Sequence, residues 1–299
     1  PYPEMATFES DNEKLNEIFE MSQRTLRMCS GETYYDTPFY EQLSYGGDNR
    51  PIAAISTYNS TDDRLLREVL RLYPQSENKE TGLFKSAYPS RFDFDMGTWS
   101  MGWVQTLLDY YLMRGDSAFV LQFTDNIEGV LRFYERHLDE RTGLIGVVKN
   151  QNFVDWSITK GSLVRRNENG LLTLYYAHTL DCVSRLYQET GLTSRSAHWK
   201  ELSGKIKAAV YTNCWDEQKQ LFRDYADKEI FSQHTNIMAI LCDLVPPSAQ
   251  TELLHRILQF ESFEEMASSY FSFFLFKAME KTGNEHLYLD NLDFWYNFI

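Results

Sequence analysis

Two kinds of joint recur along this chain, and together they constrain its fold more than any other feature. The first is Arg114-Gly115-Asp116, repeated as Thr190-Gly191-Leu192 and Thr282-Gly283-Asn284, each placed between an aromatic-rich helical pattern and another helical pattern. Glycine ends a helix by taking the left-handed conformation just past its last turn, and a following Asp or Asn can cap the next helix. The second joint is Lys79-Glu80-Thr81-Gly82-Leu83-Phe84, then Asp139-Glu140-Arg141-Thr142-Gly143-Leu144-Ile145, then Asp216-Glu217-Gln218-Lys219-Gln220-Leu221-Phe222. Acidic residues, a turn and two apolar residues suit a short β-hairpin after a helix. Helix, glycine turn, helix, hairpin, recurring every 60 to 90 residues or so, is an internal repeat of helical hairpins.

Apolar residues spaced at three and four mark helices over Asn12–Met28, Ile52–Leu72, Trp99–Arg114, Ser117–His137, Leu171–Thr190 and Arg195–Thr212, then Ser232–Leu244, Ala249–Gln259, Ser268–Thr282 and from Glu285 onward. On the second of these, Asp62 and Asp63 fall on the exposed side. Long alternating strand patterns are missing, so the class is all-α. An open solenoid and a closed ring both fit a hairpin repeat, but solenoid repeats run to roughly 34–47 residues and are more uniform. The long repeats here, with irregular loops rich in Tyr, Trp and Asp, favour an (α/α)6 toroid with short β-hairpins in the connections. The final segment, Glu285 to Ile299, carries an apolar helical face without a terminating glycine. The expectation is one toroid domain over residues 1–299 with its last hairpin incomplete, a piece of a longer multidomain chain.

A formal net charge of −14 with no basic stripe argues against a nucleic-acid partner. No apolar run approaches the roughly 20 residues that span a bilayer. Pro1 to Ser10 lacks the charged-then-apolar order of a leader. Cys29, Cys182, Cys214 and Cys242 are far apart and read as buried thiols. The histidines lack metal-ligand spacing and no phosphate- or dinucleotide-binding glycine motif is present, so neither metal nor cofactor is expected. Aromatic residues reach 15%, enough to pack a core and also to stack on sugar C–H faces.

The segment Tyr34 to Arg50, YYDTPFYEQLSYGGDNR, separates two helices and sets three carboxylates, Asp36, Glu41 and Asp48, among five aromatic rings. A single acid in a loop is usually solvated. Three acids alternating with Tyr34, Tyr35, Phe39, Tyr40 and Tyr45 cannot all face water without exposing the rings. Glycosidic-bond cleavage uses such a setting: one carboxylic acid protonates the leaving oxygen, while ionised ones bind hydroxyls and steady positive charge at the anomeric carbon.

At this point the sequence resembles the inverting α-L-rhamnosidases, glycoside hydrolases whose catalytic domain is an (α/α)6 toroid. Their signature of Asp, Cys or a similar residue, Pro, a Glu, an aromatic and Gly-Asp is met by Asp36-Thr37-Pro38-Phe39-Tyr40-Glu41, Tyr45 and Gly47-Asp48. The likeness continues through Trp99-Ser100-Met101-Gly102-Trp103, Asn152-Phe153-Val154-Asp155-Trp156 and Phe231-Ser232-Gln233-His234-Thr235-Asn236. The resemblance implies Glu41 as general acid, Asp36 and Asp48 as hydroxyl-binding acids, and Tyr45, Trp99 and Trp156 as aromatics of the sugar pocket. Asp155 either binds a hydroxyl or orients the Trp156 indole. Thr37, Gln42 and Tyr45 depart from the more frequent Cys, Arg and Trp. The implied substrate is a rhamnose-containing oligosaccharide or glycoside. The implied general base is a Glu beyond Ile299, which would leave these 299 residues inactive alone, and the full-length chain is expected to carry β-sandwich domains as well.

Trp103, Trp199, Trp215 and Trp295 fall on apolar helix faces or ends and read as packing, and His234 as a structural histidine. Two other readings stay open: another toroid glycosidase acting on glucose or uronic acids, and a non-catalytic glycan-binding toroid, since fold does not fix function.

Overall fold

The computed structural model describes residues 5–149, 152–155, 169–259, 263 and 267–297. Twelve α-helices are present among them: α1 Glu13–Met28, α2 Asn49–Asn59, α3 Arg64–Leu72, α4 Gly97–Arg114, α5 Ser117–Leu121, α6 Thr124–Glu135, α7 Gly170–Glu189, α8 Thr193–Cys214, α9 Gln233–Leu241, α10 Pro247–Gln259, α11 Ser272–Lys281 and α12 Asp293–Tyr296. A single two-stranded antiparallel ribbon, β1 Trp215–Asp216 with β2 Leu221–Phe222, is present among the described residues.

The helices alternate between an outer and an inner layer. α4, α7 and α9 are buried on nearly every face, as helices enclosed by other helices must be. The inner layer runs α2 to α4 to α7 to α9 to α11, each packed on the next. α1 and α12 meet, and the Lys14 ammonium lies 5.1 Å from the centre of the Tyr296 ring. The ring is therefore closed. The chain is an all-α toroid of five hairpins and the outer part of a sixth, not an open spiral.

The two joints are real and have distinct jobs. Gly115, Gly191 and Gly283 all take positive φ, 69°, 88° and 69°, and turn an inner helix outward. Asp116 caps α5 by accepting the Phe119 N–H at 2.9 Å. Asn284 does not cap in this way, its amide turning back to the Thr282 carbonyl at 2.9 Å. The other joint turns an outer helix inward through one repeated device. The carbonyls of Asn78, Asp139 and Asp216 accept from the N–H four residues on, at 2.7, 2.8 and 2.8 Å. The side chains of the same three residues accept from the N–H two residues on, at 3.0, 2.9 and 3.0 Å. The residue at the fourth position has positive φ in each copy: Gly82 at 80°, Gly143 at 73°, Gln220 at 53°. Only the third copy extends into a paired ribbon. The expected hairpin is reduced to an isolated bridge between Leu138 and Ile145 in the second, and to a turn in the first.

Two expected helices are each broken in two. The pattern Ile52–Leu72 is interrupted between Asn59 and Arg64, where Ser60 is extended and Asp62 accepts from the Arg64 backbone at 3.2 Å. Asp62 and Asp63 thus lie in this joint, not along a helix, and Asp63 accepts the Tyr110 hydroxyl at 2.8 Å. The pattern Ser117–His137 is interrupted at Gln122-Phe123, and from Glu285 the chain first forms a 3-10 helix, Glu285–Asn291. All four cysteines are buried free thiols. Trp103 and Trp199 are buried, their indole N–H groups given to the Leu70 carbonyl and the Glu128 carboxylate, each at 3.1 Å. Among the described residues no helix is long and apolar enough to cross a membrane.

Candidate active site

Every outer-to-inner connection reaches the same end of the ring, at the N-terminal ends of the inner helices. The Tyr34–Asp48 loop enters α2 there, the 85–95 loop enters α4, residues 152–155 precede α7, and residues 267–271 precede α11. These connections therefore gather at one end of the ring.

The acid loop is a small closed structure. The Asp36 N–H donates to the Leu43 carbonyl at 2.9 Å, and the Leu43 N–H returns to Asp36 Oδ1 at 3.0 Å. Between them the chain turns through Gln42 at φ 55°. Thr37 and Gln42 hold this turn. The Glu41 N–H donates to Thr37 Oγ1 at 3.3 Å, and Gln42 Nε2 to the Pro38 carbonyl at 2.9 Å. Two of the departures from the family pattern thus serve the loop's own geometry.

Glu41 stands at the exposed tip, and the Tyr45 hydroxyl donates to its Oε2 at 2.5 Å. Burial, then the Glu41 carboxylate, push the Tyr45 phenol well above its usual range, so it remains the donor. The Tyr45 ring meets Trp99 edge-on at 4.9 Å, and Trp99 meets Phe153 edge-on at 5.7 Å. Trp99 is largely buried, and among the described residues its indole N–H has no hydrogen-bond partner. A Cβ at Gly47 would lie 2.6 Å from that indole nitrogen, so glycine is what lets the loop lie on the ring.

Asp48 opens α2 without capping it. Its half-buried carboxyl is pushed up to about 7, first by burial and then by the nearby charge of Asp36, with Glu41 adding a smaller push. The three predicted acids therefore share one electrostatic neighbourhood. Two residues further, Arg50 is buried and roots the loop in the ring: Nε donates to Asp109 Oδ2 at 2.8 Å, and Nη1 to Gln105, whose amide donates to Thr179 Oγ1 at 2.8 Å.

Asp155, in the segment before α7, is buried and engaged on both oxygens. His234 Nε2 is 2.6 Å from Oδ2, the Ser268 N–H donates to Oδ2 at 2.8 Å, and Ser268 Oγ donates to Oδ1. Burial would raise this carboxyl, but the bonds from His234 and Ser268 outweigh it and hold it below its usual range. His234 is fully buried, as a structural histidine should be, and it is also the hinge pin of this clamp. Trp156, the remaining predicted pocket residue, lies outside the described residues. Sequence reasoning missed Ser268, which has no motif, and the loop Ser90-Arg91-Phe92, which faces Glu41 across a groove.

At one end of this ring of helical hairpins Glu41 stands in the wall of an aromatic groove. The chain belongs to the family described as the bacterial α-L-rhamnosidase six-hairpin glycosidase domain, which it matches over residues 3–267. It is similar to the solved GH78 family rhamnosidase of Bacillus sp. GL1, with 25% identity and a TM-score of 0.89, over 99% of this chain and 31% of that one. The fold is shared with a Klebsiella oxytoca rhamnosidase solved with rhamnose bound, at 16% identity and a TM-score of 0.86, over 99% of this chain and 57% of that one. It is shared also with a rhamnosidase from Aspergillus terreus, at 16% identity and a TM-score of 0.74, over 98% and 34% of the two chains. The chain thus spans about a third to just over half the length of these proteins. No curated protein matches it.

Proposed function

We propose that the protein containing this domain hydrolyses terminal α-L-rhamnosides by single displacement, with Glu41 as the general acid. The observation that carries this reading is the placing of Glu41: an exposed carboxyl at the lip of an aromatic groove, backed by Tyr45, with Asp36 and Asp48 behind it. In the proposed step, water attacks the anomeric carbon as the bond to the leaving oxygen breaks. Glu41 gives that oxygen a proton, and a second carboxylate takes one from the water.

Asp36 and Asp48 hold the sugar hydroxyls, Tyr45 fixes the rotamer of Glu41, and Trp99 supports the loop while offering its buried N–H to the pocket. Asp155 acts as a positioning residue, tying the segment before α7 to α9 and to the segment before α11. Trp156, as the resemblance implies, supplies a further ring. The reading needs a base about 6.5–9.5 Å from the acid, and the resemblance puts that base beyond Ile299.

The test is hydrolysis of an aryl α-L-rhamnoside by the full-length protein, followed by NMR of the first-formed sugar. The β-anomer is expected; the α-anomer would replace inversion by retention, and no turnover would remove the assignment. Turnover by residues 1–299 alone would place the base within them.

A further inference from the structure

Glu41 forms part of one wall of a cavity of about 550 Å³, with Tyr40, Leu43 and Tyr45 on its own loop and Ser90, Arg91 and Phe92 on the facing one. That volume is in the range of small-ligand sites. The two loops are stitched backbone to backbone: Tyr45 pairs with Ala87, the Gly46 N–H donates to the Ser86 carbonyl at 3.2 Å, and the Tyr88 N–H to the Ser44 carbonyl at 3.1 Å. Within the facing loop, the Phe92 N–H is held by Ser90 Oγ at 3.1 Å. Arg91 therefore stands at a set place relative to the acid.

Three features give this groove a chemistry. Tyr40 is 89% exposed and Phe92 41%, so apolar rings stand bare beside a carboxylic acid. Exposed rings of this kind stack on the C–H faces of a sugar. Arg91 is exposed and makes no ion pair among the described residues, while the neighbouring acid Asp93 is taken by Lys85 at 3.0 Å. The surroundings are acidic: Glu41 lines the groove, Asp36 and Glu41 lie near enough to act on Asp48 by their charge, and the chain carries a net charge of −14. A free cation in that field is the one lining group able to offset the repulsion an anionic substrate would meet. A proton donor in the wall also fixes which part of the substrate lies here, because the oxygen it protonates belongs to the leaving group.

We propose that this groove is the leaving-group subsite and that it takes a uronic acid: the ring lies against Tyr40 and Phe92, and its carboxylate meets the Arg91 guanidinium. The inference rests on the glycosidase reading above and narrows its substrate.

The experiment compares kcat/KM of the full-length protein on two α-L-rhamnosyl disaccharides of the same linkage, one with a uronic acid and one with the matching neutral hexose as leaving group. An aryl α-L-rhamnoside reports activity as such. The uronide should be preferred by about two- to fivefold at low salt, the size of a favourable exposed charge pair, and that preference should shrink as salt is raised. In Arg91→Ala the ratio should fall to about one, and in Arg91→Lys part of it should remain. Equal rates on the two disaccharides, or a preference unchanged in Arg91→Ala, overturn the subsite while leaving the glycosidase standing. Inactivity on all three substrates overturns both.

Discussion

Glu41 and Asp155 are carboxylates on segments that lead into inner helices at one end of the ring, yet they sit at opposite extremes. Glu41 is exposed at the tip of a loop that closes on itself, with one side-chain partner four residues away. Asp155 is 2% exposed and receives His234 from 79 residues away and Ser268 from 113 residues away. A carboxyl proposed to hand on its proton is left accessible to the bond it would protonate. A group that must keep three connections in register has to be locked by distant partners. On the proposed reading the acid loop is the chemical side of the site and the Asp155 wall its frame.

The sharpest way to break that division is Glu41→Gln in the full-length protein. Loss of a general acid should lower kcat on poor leaving groups by roughly 10²–10⁴. The thermal midpoint should move by no more than about 2 °C, because an exposed loop-tip side chain carries little stability. A large fall in the midpoint would make Glu41 part of the frame.

Asp155→Ala should do the reverse. It leaves His234 and Ser268 without their shared acceptor, and a buried donor left without a partner costs about 1–3 kcal/mol each, read from a denaturant midpoint. Should stability hold while KM alone rises, Asp155 belongs with the sugar-gripping acids instead.

The frame holds a second buried carboxyl, Asp224, which accepts Ser232 Oγ at 2.7 Å and the Thr235 hydroxyl on one oxygen. Its other oxygen has no hydrogen-bond partner among the described residues. Burial raises it from 3.8 to about 6, the bonds from Thr235 and Ser232 only partly opposing this. A carboxyl raised on folding supports the fold fully below its unfolded value, and that support is lost as pH rises through its folded value. Stability should therefore fall by roughly 2 kcal/mol between pH 4 and pH 7 from this group, and Asp224→Asn should remove that part of the slope. An unchanged slope in the variant would refute the assignment.

What was legible in the sequence follows the same division. The inward joints could be read because Asn78, Asp139 and Asp216 each build a turn from their own side chains, with glycine at the positive-φ position in two copies. The acid loop could be read because its contacts are local. The clamp of Asp155, His234 and Ser268 could not, since no spacing links residues that meet only once the ring has closed. The break at Gln122-Phe123 was hidden by apolar residues on both sides of it, whereas the break at Ser60 falls in the polar run Asn59–Arg64, a joint signal that the helical pattern on either side overrode.

The smallest expected effect lies within the acid loop, and it asks what state its members work in. Asp48 is pushed up to about 7 by burial first and Asp36 second. If it grips rhamnose hydroxyls as an ionised acceptor, the competent fraction rises about tenfold between pH 6 and pH 8, and the Kd for rhamnose should fall by a similar factor. Asp48→Asn should flatten that dependence. Asp36→Asn should move it to lower pH, because one of the charges opposing ionisation of Asp48 has gone. The sign decides the matter. Affinity that weakens with rising pH would make Asp48 a protonated donor, and affinity indifferent to pH would take it out of the sugar site and leave it as the half-buried residue just before a helix.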